Sequence, residues 1–185
     1  MVGRLVPATG EITLKEVPTP RGRPYGIKIA ADGTPWFAYN GNRLGSIDPK
    51  TMDIREHPLP TPETTIRRLD FASDGTIWYV DSSRGYLGHF DPKTGERREW
   101  PSPSGPQSHP YAIAVIDDKV WYNESAMRPD ALVRFDPETE TFQSWAIPSG
   151  VGIIRHMRAT PDGNLVFHQS STNRVGLVIV GGEGR

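Results

Sequence analysis

Short runs of alternating apolar and polar residues recur along the chain, and turn-forming dipeptides separate one run from the next. The run PYGIKIAADG, from Pro24, ends at Asp32-Gly33, a dipeptide that favours the positive φ angles of a tight hairpin. PWFAY comes next, and RLGSI then leads to Asp48-Pro49, where the Asp side chain can bond the backbone and Pro presets φ. DIREHPL completes the unit. We therefore expect four short strands in each unit and almost no helix.

The unit repeats with nearly constant spacing. NRLGSIDPKT at Asn42–Thr51 and GYLGHFDPKT at Gly85–Thr94 share their apolar positions, their glycine and their Asp-Pro turn. The Asp-Pro turn begins at Asp48, Asp91 and Asp136, and a tryptophan recurs at Trp36, Trp78 and Trp121. Four strands in roughly 42–45 residues are typical of a propeller blade, so the sequence predicts an all-β chain with a β-propeller fold of four-stranded blades. The full blades are residues 24–60, 66–103 and 110–148, with the tryptophans as wedges in the core between sheets.

The two ends of the chain contain incomplete units. Residues 154–180 lack a fourth strand, and residues 1–20 fit a third and a fourth strand, with Gly3 matching Gly45 and Ile12 matching Ile54. The chain is therefore either a ring of about four blades, closed by a strand from the amino end, or the carboxy-terminal arc of a larger ring. We favour the arc, because a simple closure would leave a third strand unused. Missing blades or a second copy would then complete the ring.

Composition limits the classes of partner. The 185 residues suffice for one domain with a real core, and 36% hydrophobic content with 5 Trp argues against disorder despite 19 Gly and 18 Pro. The net charge of -1 gives no reason to expect nucleic acid, and no apolar run reaches the roughly 20 residues of a membrane span. There is no cysteine for a disulfide or a thiolate metal site. The first residues lack a signal-peptide pattern, so the compartment is unassigned, and the periplasm or extracellular space stays open if an amino-terminal part is missing.

The blade motifs, taken together, resemble those of the virginiamycin B lyase (streptogramin lyase) family. P-Y-G-I at the start of a blade, D-G-x-x-W-F across the hairpin, N-R-L-G-x-I-D-P and the ending P-L-P-T-P carry the resemblance over nearly the whole chain. It implies a seven-bladed ring and a Mg²⁺-assisted elimination that opens a cyclic depsipeptide at its ester linkage. It also implies a histidine base at the start of the innermost strand of the last blade, with two glutamates that help to hold the metal. The metal would acidify the α-proton and the imidazole would take it near neutral pH.

The chain departs from the family pattern at these positions. Counted from the Asp-Gly turns, the place of the histidine holds Tyr25 in the first full blade, Tyr111 in the third and Arg155 in the last. Ile153 stands where a glutamate is expected, and the loop after the second strand of the last blade has no carboxylate. His156 follows Arg155 and would lie on the other side of an extended strand. These residues therefore do not carry over the family's chemistry, and Mg²⁺ is implied by the resemblance alone.

Ring geometry predicts where side chains from separate blades meet. The loop that leads into the innermost strand and the loop after the second strand emerge on one face of a propeller, around its channel. We expect a cationic, aromatic channel face suited to an anionic or carbonyl-rich small molecule. Its ligand-binding residues would be Tyr25, Arg67, His109, Tyr111 and Arg155. The alternative is that each arginine pairs with a carboxylate of the adjacent blade and only holds the blades together.

Two residues are candidates for catalysis. Glu124 follows a second strand and is a candidate base or metal ligand, with pairing across a loop as the alternative. His156 can titrate near neutral pH and is a candidate base, with a hydrogen-bonded core histidine as the alternative. His57 and His89, on third or fourth strands, are expected at the surface.

Three functional classes stay open. The first is a lyase-like enzyme acting on a small cyclic or ester-containing molecule, favoured by the resemblance and opposed by the missing histidine and glutamate. The second is a non-catalytic propeller that binds a small molecule or a protein on its channel face. The third is a metal-dependent hydrolase of lactonase type, for which Asn123 and Glu124 offer two of the required ligand types side by side. Metal titration and turnover of a streptogramin B would separate these classes.

Overall fold

The computed structural model describes residues 1–150, 152–170 and 172–181, and every helix-or-strand element in them is a β-strand. No helix in this part of the chain has the length and apolarity needed to cross a membrane. The strands are β1 (Val2–Val6), β2 (Glu11–Lys15), β3 (Pro24–Ile29), β4 (Pro35–Tyr39), β5 (Arg43–Ile47), β6 (Ile54–Pro58), β7 (Ile66–Phe71), β8 (Ile77–Asp81), β9 (Tyr86–Phe90), β10 (Arg97–Pro101), β11 (Pro110–Ile116), β12 (Lys119–Glu124), β13 (Ala131–Asp136), β14 (Thr141–Ala146), β15 (Ile154–Ala159), β16 (Leu165–Gln169) and β17 (Arg174–Val178).

The strands form small antiparallel sheets that follow the order of the chain. The first three full blades are β3 to β6, β7 to β10 and β11 to β14, and the last blade has three strands, β15 to β17. The innermost strands contact their neighbours in sequence, β3 with β7, β7 with β11 and β11 with β15. The predicted all-β propeller with four blades is confirmed. Among the described residues, strands β1 and β2 pair only with each other, and Val2 packs against Phe37 of the first full blade.

Packing explains why the repeated stretch contains a glycine in the first two full blades. An aromatic ring on the second strand of the blade covers the third strand at this position, Phe37 over Gly45 and Tyr79 over Gly88. A Cβ atom added at Gly45 would lie 2.3 Å from the Phe37 ring, and one at Gly88 would lie 2.1 Å from the Tyr79 ring. Any larger residue would therefore push the ring out of place. The third blade differs, since Val133 is accommodated there in the same position.

The turn motifs act as the sequence predicts. The carboxylate of Asp48 accepts hydrogen bonds from the backbone N–H groups of Lys50 and Thr51, at 2.7 and 3.0 Å. Asp91 accepts the equivalent bond from Lys93, at 2.8 Å. Gly33, in the hairpin of the first full blade, has a φ of 87°, which an L side chain rarely adopts. Hydrogen bonds and backbone conformation within these turns therefore fix where the adjoining strands end.

The hydrophobic core lies between successive blades, and the repeated tryptophans are part of it. Trp36, Trp78 and Trp121 are only 7%, 4% and 6% exposed, which confirms their predicted place. The fourth strands add a second tryptophan layer, with Trp100 stacked on Trp78 at 5.4 Å and Trp145 stacked on Trp121 at 5.6 Å. Trp145 differs from the others because 44% of it is exposed.

Two histidines that were predicted at the surface, His57 and His89, are half-buried against tryptophans. The ring of His57 lies 4.7 Å from that of Trp36, and the ring of His89 lies 4.8 Å from that of Trp78. Burial, followed by the charges of two nearby arginines, lowers the pKa of His57 to about 4. The position of a residue on a third or fourth strand could not predict this burial, because the contact depends on the tryptophan of another strand of the blade.

Candidate ligand site on the channel face

Each innermost strand has an irregularity near its start. The pairing in β3 jumps from Pro24 to Ile27, and β7, β11 and β15 contain the same jump. The residues skipped by the pairing are Tyr25 with Gly26, Arg67 with Arg68, Tyr111 with Ala112, and Arg155 with His156. Bulges bend a strand and redirect its side chains, and they recur beside functional sites. In this protein the bulges direct the skipped residues of each blade towards the channel.

Two tyrosines from separate blades meet at the centre of this face. The hydroxyl groups of Tyr25 and Tyr111 hydrogen-bond to each other, although the second full blade lies between their strands. Their rings meet edge to face, with centroids 6.4 Å apart. Tyr25 is 38% exposed and Tyr111 is 6% exposed. One tyrosine is therefore open to a ligand while the other supports it from below.

Three arginines surround the tyrosine pair. The guanidinium carbon of Arg67 lies 5.8 Å from the Tyr25 ring centroid and 5.4 Å from that of Tyr111. Arg68 lies 4.6 Å from the Tyr25 ring, and Arg155 lies 5.7 Å from the Tyr111 ring. We call these three residues the arginine cluster. Contact with an aromatic face favours a cation and holds the guanidinium plane in place.

The arginine cluster binds neutral partners. Arg67 donates from Nε to Ser82 Oγ at 3.0 Å and from Nη1 to Asn40 Oδ1 at 2.9 Å. Arg68 donates from Nε to the backbone oxygen of Arg155 at 3.1 Å. Within the part of the chain that the structure describes, none of the three forms an ion pair with a carboxylate. The alternative prediction, that they join neighbouring blades through carboxylates, finds no support in these contacts.

Arginine charges contribute to the lowered pKa values of three groups on this face, whereas burial raises the pKa of Tyr111. The hydrogen bond from Tyr111, with the nearby arginine charges, lowers the pKa of Tyr25. Burial, and then the charge of Arg68, lowers the pKa of His156. Partial desolvation, and then the charge of Arg67, lowers the pKa of His109. In each of these three groups the arginine charges act in the direction expected near several cations, after the larger effect of a hydrogen bond or of burial.

His156 reaches the channel although it follows Arg155 directly. An extended strand would place the two side chains on opposite sides, but the bulge in β15 interrupts this alternation. Arg68 Nη2 lies 3.0 Å from His156 Nε2, and because an arginine can only donate, this nitrogen accepts. The other ring nitrogen then carries the proton, so this arrangement leaves no free lone pair to act as a base.

Glu124 lies in a different environment from the arginine cluster. Its side chain is fully buried and accepts hydrogen bonds from Ser102 Oγ at 2.6 Å and from the backbone N–H of Ser104 at 3.0 Å. Both serines belong to the connection from the second to the third full blade. Asp81, at the same place one blade earlier, accepts a bond from the N–H of Thr65 in the preceding connection. These contacts favour the structural alternative for Glu124, and its catalytic role stays a prediction.

The channel face offers few ligands for a metal ion. Among residues 1–150, 152–170 and 172–181 there is no group of three His, Cys, Asp or Glu side chains that could hold one. Asn123 is fully buried, and its Oδ1 accepts a bond from the N–H of Ala112. Mg²⁺ prefers several oxygen ligands, and the nearby charges are cations. The described residues therefore do not fit the Mg²⁺ site that the family resemblance implies.

A cavity of about 330 Å³ lies beside Tyr25, between the innermost strands. Lys28 and Arg158, each one residue before the end of an innermost strand, line it together with Arg68 and His156. Lys28 forms an ion pair with Asp70 at 3.0 Å. Lys28 and Arg158 were not among the site residues predicted from the sequence. Their place on innermost strands, which border the channel, could have indicated that they lie near the site.

These observations define a class of protein, a four-stranded-blade β-propeller with a cationic and aromatic channel face. The chain belongs to the virginiamycin B lyase family, whose model matches residues 10–185. The resemblance predicted from the blade motifs is therefore confirmed. A comparison with curated protein sequences gives no match.

Solved structures of this family share the fold. A catalytically inactive histidine-to-alanine variant of virginiamycin B lyase from Staphylococcus aureus, with quinupristin, matches 95% of this chain and 61% of its own length, at 24% identity and a TM-score of 0.80. The selenomethionine form of the Staphylococcus aureus enzyme matches 98% of this chain and 63% of its own, at 22% identity and 0.80. A streptogramin B lyase structure matches 87% and 53%, at 26% identity and 0.77. The chain thus spans 53% to 63% of the length of these structures.

Proposed function

We propose that the channel face binds a small cyclic or ester-containing molecule, whose carbonyl or carboxylate oxygens accept hydrogen bonds from the arginine cluster. The observation that supports this most is the meeting of Arg67, Arg68 and Arg155 around two tyrosines without a carboxylate partner in the described residues. Guanidinium groups present planar arrays of donors that match ester and carboxylate oxygens. The exposed ring of Tyr25 adds an apolar surface with a polar tip.

The proposal does not include the ring opening that the family resemblance implies. Arg155 holds the place where a histidine base is expected, and a guanidinium group stays protonated in proteins, so it cannot take a proton. His156 is next to it, but its Nε2 accepts a bond from Arg68. The described residues also provide no group of metal ligands. Binding without elimination is therefore the function that these residues support best.

Quinupristin is the first compound to test, because it accompanies one of the similar lyase structures. We expect the purified chain to bind quinupristin in isothermal titration calorimetry, and Arg67→Ala to weaken binding by about tenfold or more, since a hydrogen bond to a charged group contributes about 1.5–3 kcal/mol. Arg55→Ala is the matched control, because Arg55 is exposed on the outermost strand of the first full blade. Equal affinity in both variants would contradict the proposed site.

A further inference from the structure

The last blade ends in a strand that is paired on one side only. In each of the three full blades the third strand lies between a second and a fourth strand, whereas β17 pairs with β16 alone in the described residues. A groove of about 980 Å³ runs beside the other edge of β17, and we call it the edge groove. Trp145, Gln169, Arg174 and Val178 are among the residues that line it. An unpaired strand edge presents backbone N–H and C=O groups that favour the addition of another strand.

The first full blade shows a contact that a fourth strand makes at this place. The run Asn-Arg-x-Gly begins at residue 42 in the first full blade and at residue 173 in the last blade. Arg43 and Arg174 therefore hold equivalent places at the start of a third strand. In the first full blade, Glu56 of the fourth strand pairs with Gly45, and its carboxylate lies 3.9 Å from Arg43 Nη1. The arginine at this place thus has an acidic partner on the fourth strand.

A second donor to Glu56 also has an equivalent in the last blade. Tyr39 ends the second strand of the first full blade, and its hydroxyl donates to Glu56 Oε1 at 2.5 Å. Gln169 ends the second strand of the last blade and is only 3% exposed. Its Oε1 accepts a hydrogen bond from Ser149 Oγ, but its Nε2 is buried without an acceptor among the described residues. Buried donors are normally hydrogen-bonded in folded proteins.

The charges that line the edge groove are cations. Arg174 donates to the backbone oxygen of Ser149 at 2.9 Å, and Arg134 donates to Gln143 Oε1 at 3.0 Å. Within the described part of the chain, neither arginine forms an ion pair with a carboxylate. None of the described residues that line the groove is acidic. A carboxylate carried by a bound segment would therefore find charged donors here, and such hydrogen bonds are strong.

The edge groove also has an apolar position that a fourth strand fills at the preceding blade junction. Phe142 of the fourth strand pairs with Phe135 and lies 4.6 Å from it, and Phe135 lies 4.9 Å from Trp100. In the last blade Val178 takes the place of Phe135, and no described residue takes that of Phe142. Trp145, which holds the place of Trp100 in the third full blade, is 44% exposed. An apolar side chain opposite Val178 would cover it.

These contacts define the chemistry of the occupant. It is an extended segment with an apolar residue opposite Val178 and an acidic residue two positions later, opposite Gly176. Ile54 and Glu56 have this spacing in the first full blade. Strand β2 does not, because Leu14 stands where Glu56 does, and β2 is already paired with β1. We propose that the edge groove binds an extended segment of a partner polypeptide, which adds to β17 as a fourth strand and places its carboxylate between Gln169 and Arg174.

A synthetic peptide of residues 52–60, MDIREHPLP, is the probe, because it contains Ile54 and Glu56 at the required spacing. With a fluorophore on its amino end, it should bind the wild-type chain in fluorescence anisotropy. The same peptide with Glu56→Gln should bind about tenfold more weakly or worse, because hydrogen bonds to a charged group are lost. Hydrogen–deuterium exchange should show that the bound peptide protects backbone amides of β17. Equal affinity for both peptides, or binding without protection of β17, would overturn the proposal.

Exchanging the charges identifies the contact itself. Arg174→Glu should weaken binding of the unchanged peptide by about tenfold or more, and the peptide with Glu56→Arg should restore it, because the pair then has opposite charges again. Arg55→Glu is the matched control, since Arg55 is exposed on the outermost strand of the first full blade, and it should bind the unchanged peptide as the wild type does. Circular dichroism confirms that both chain variants are folded. A reversed pair that does not bind would overturn the proposal.

Light scattering of the wild-type chain without peptide tests the other possible occupant. The molar mass should stay at 20.5 kDa over the concentrations used for the titration. A doubled mass with protected amides on β17 would show that a second copy fills the edge groove, and this would overturn the assignment to a partner polypeptide.

Discussion

Replacing Arg155 by alanine separates a binding arginine from a structural one. Arg155 is exposed, stacks on Tyr111 and has no carboxylate partner among the described residues. Its removal relieves repulsion from the other two arginines and leaves no carboxylate unpaired. We expect the free energy of unfolding to change by less than about 0.5 kcal/mol. At about 2–4 °C per kcal/mol for a chain of this size, the melting temperature should shift by at most about 2 °C.

Arg84 provides the matched structural control. Its Nε lies 2.6 Å from the fully buried carboxylate of Asp81, and its Nη2 lies 2.7 Å from Glu99. Removing one partner of a buried ion pair costs about 3–5 kcal/mol. Asp81 keeps bonds to backbone N–H groups, so the lower end applies, and Arg84→Ala should melt roughly 6–12 °C earlier.

Differential scanning fluorimetry and calorimetric titration of quinupristin on both variants give the comparison. Arg155→Ala should melt near the wild-type temperature and bind quinupristin about tenfold more weakly or worse. Arg84→Ala should melt early and bind normally below its melting temperature. If Arg155→Ala melts early and binds as the wild type does, Arg155 is structural and the site is misassigned.

The remaining predictions concern pH and burial. The pKa of Tyr25 is lowered by its hydrogen bond and by the arginines, so ultraviolet titration should show one tyrosinate forming early and missing in Tyr25→Phe. Because the pKa of Tyr25 is lowered in the folded state, the free energy of unfolding should rise as the pH increases from this lowered pKa towards 10.0. A free energy of unfolding that does not change with pH in this range would contradict the prediction. The pKa of His57 falls from 6.5 to about 4 on folding, so wild-type stability should drop as pH falls through that range; urea unfolding of His57→Phe should show less of this loss. Glu124→Gln should destabilise the fold by about 1–3 kcal/mol in the same assay, because a buried hydrogen-bonded carboxylate is lost; unchanged stability would reopen its catalytic role.

The fold could be predicted from sequence because its signals are local and repeated. The Asp-Pro and Asp-Gly turns depend on residues only a few positions apart, and Asp48 forms its bonds within three residues. The regular spacing of Trp36, Trp78 and Trp121 gives independent evidence for the number of full blades. Several repeats of one pattern outweigh the ambiguity of any single short strand.

The candidate site was only partly predictable, because its geometry depends on contacts between blades. The channel position of Tyr25 and Arg155 follows from blade register. The bulge that brings His156 to the same face does not, since it appears only when β15 pairs with β16. The contacts of Glu124 were not predictable either, because an offset along the strand cannot reveal that its carboxylate turns towards a neighbouring connection.

The central claim is that the arginine cluster binds an ester-containing ligand without opening it. The most direct measurement is calorimetric titration of quinupristin into wild type and Arg67→Ala/Arg155→Ala in Mg²⁺ buffer, followed by reversed-phase chromatography of the recovered compound. We expect binding to the wild type, binding weaker by at least about tenfold in the double variant, and quinupristin recovered unopened. Linearised quinupristin, or equal binding by both proteins, would contradict it.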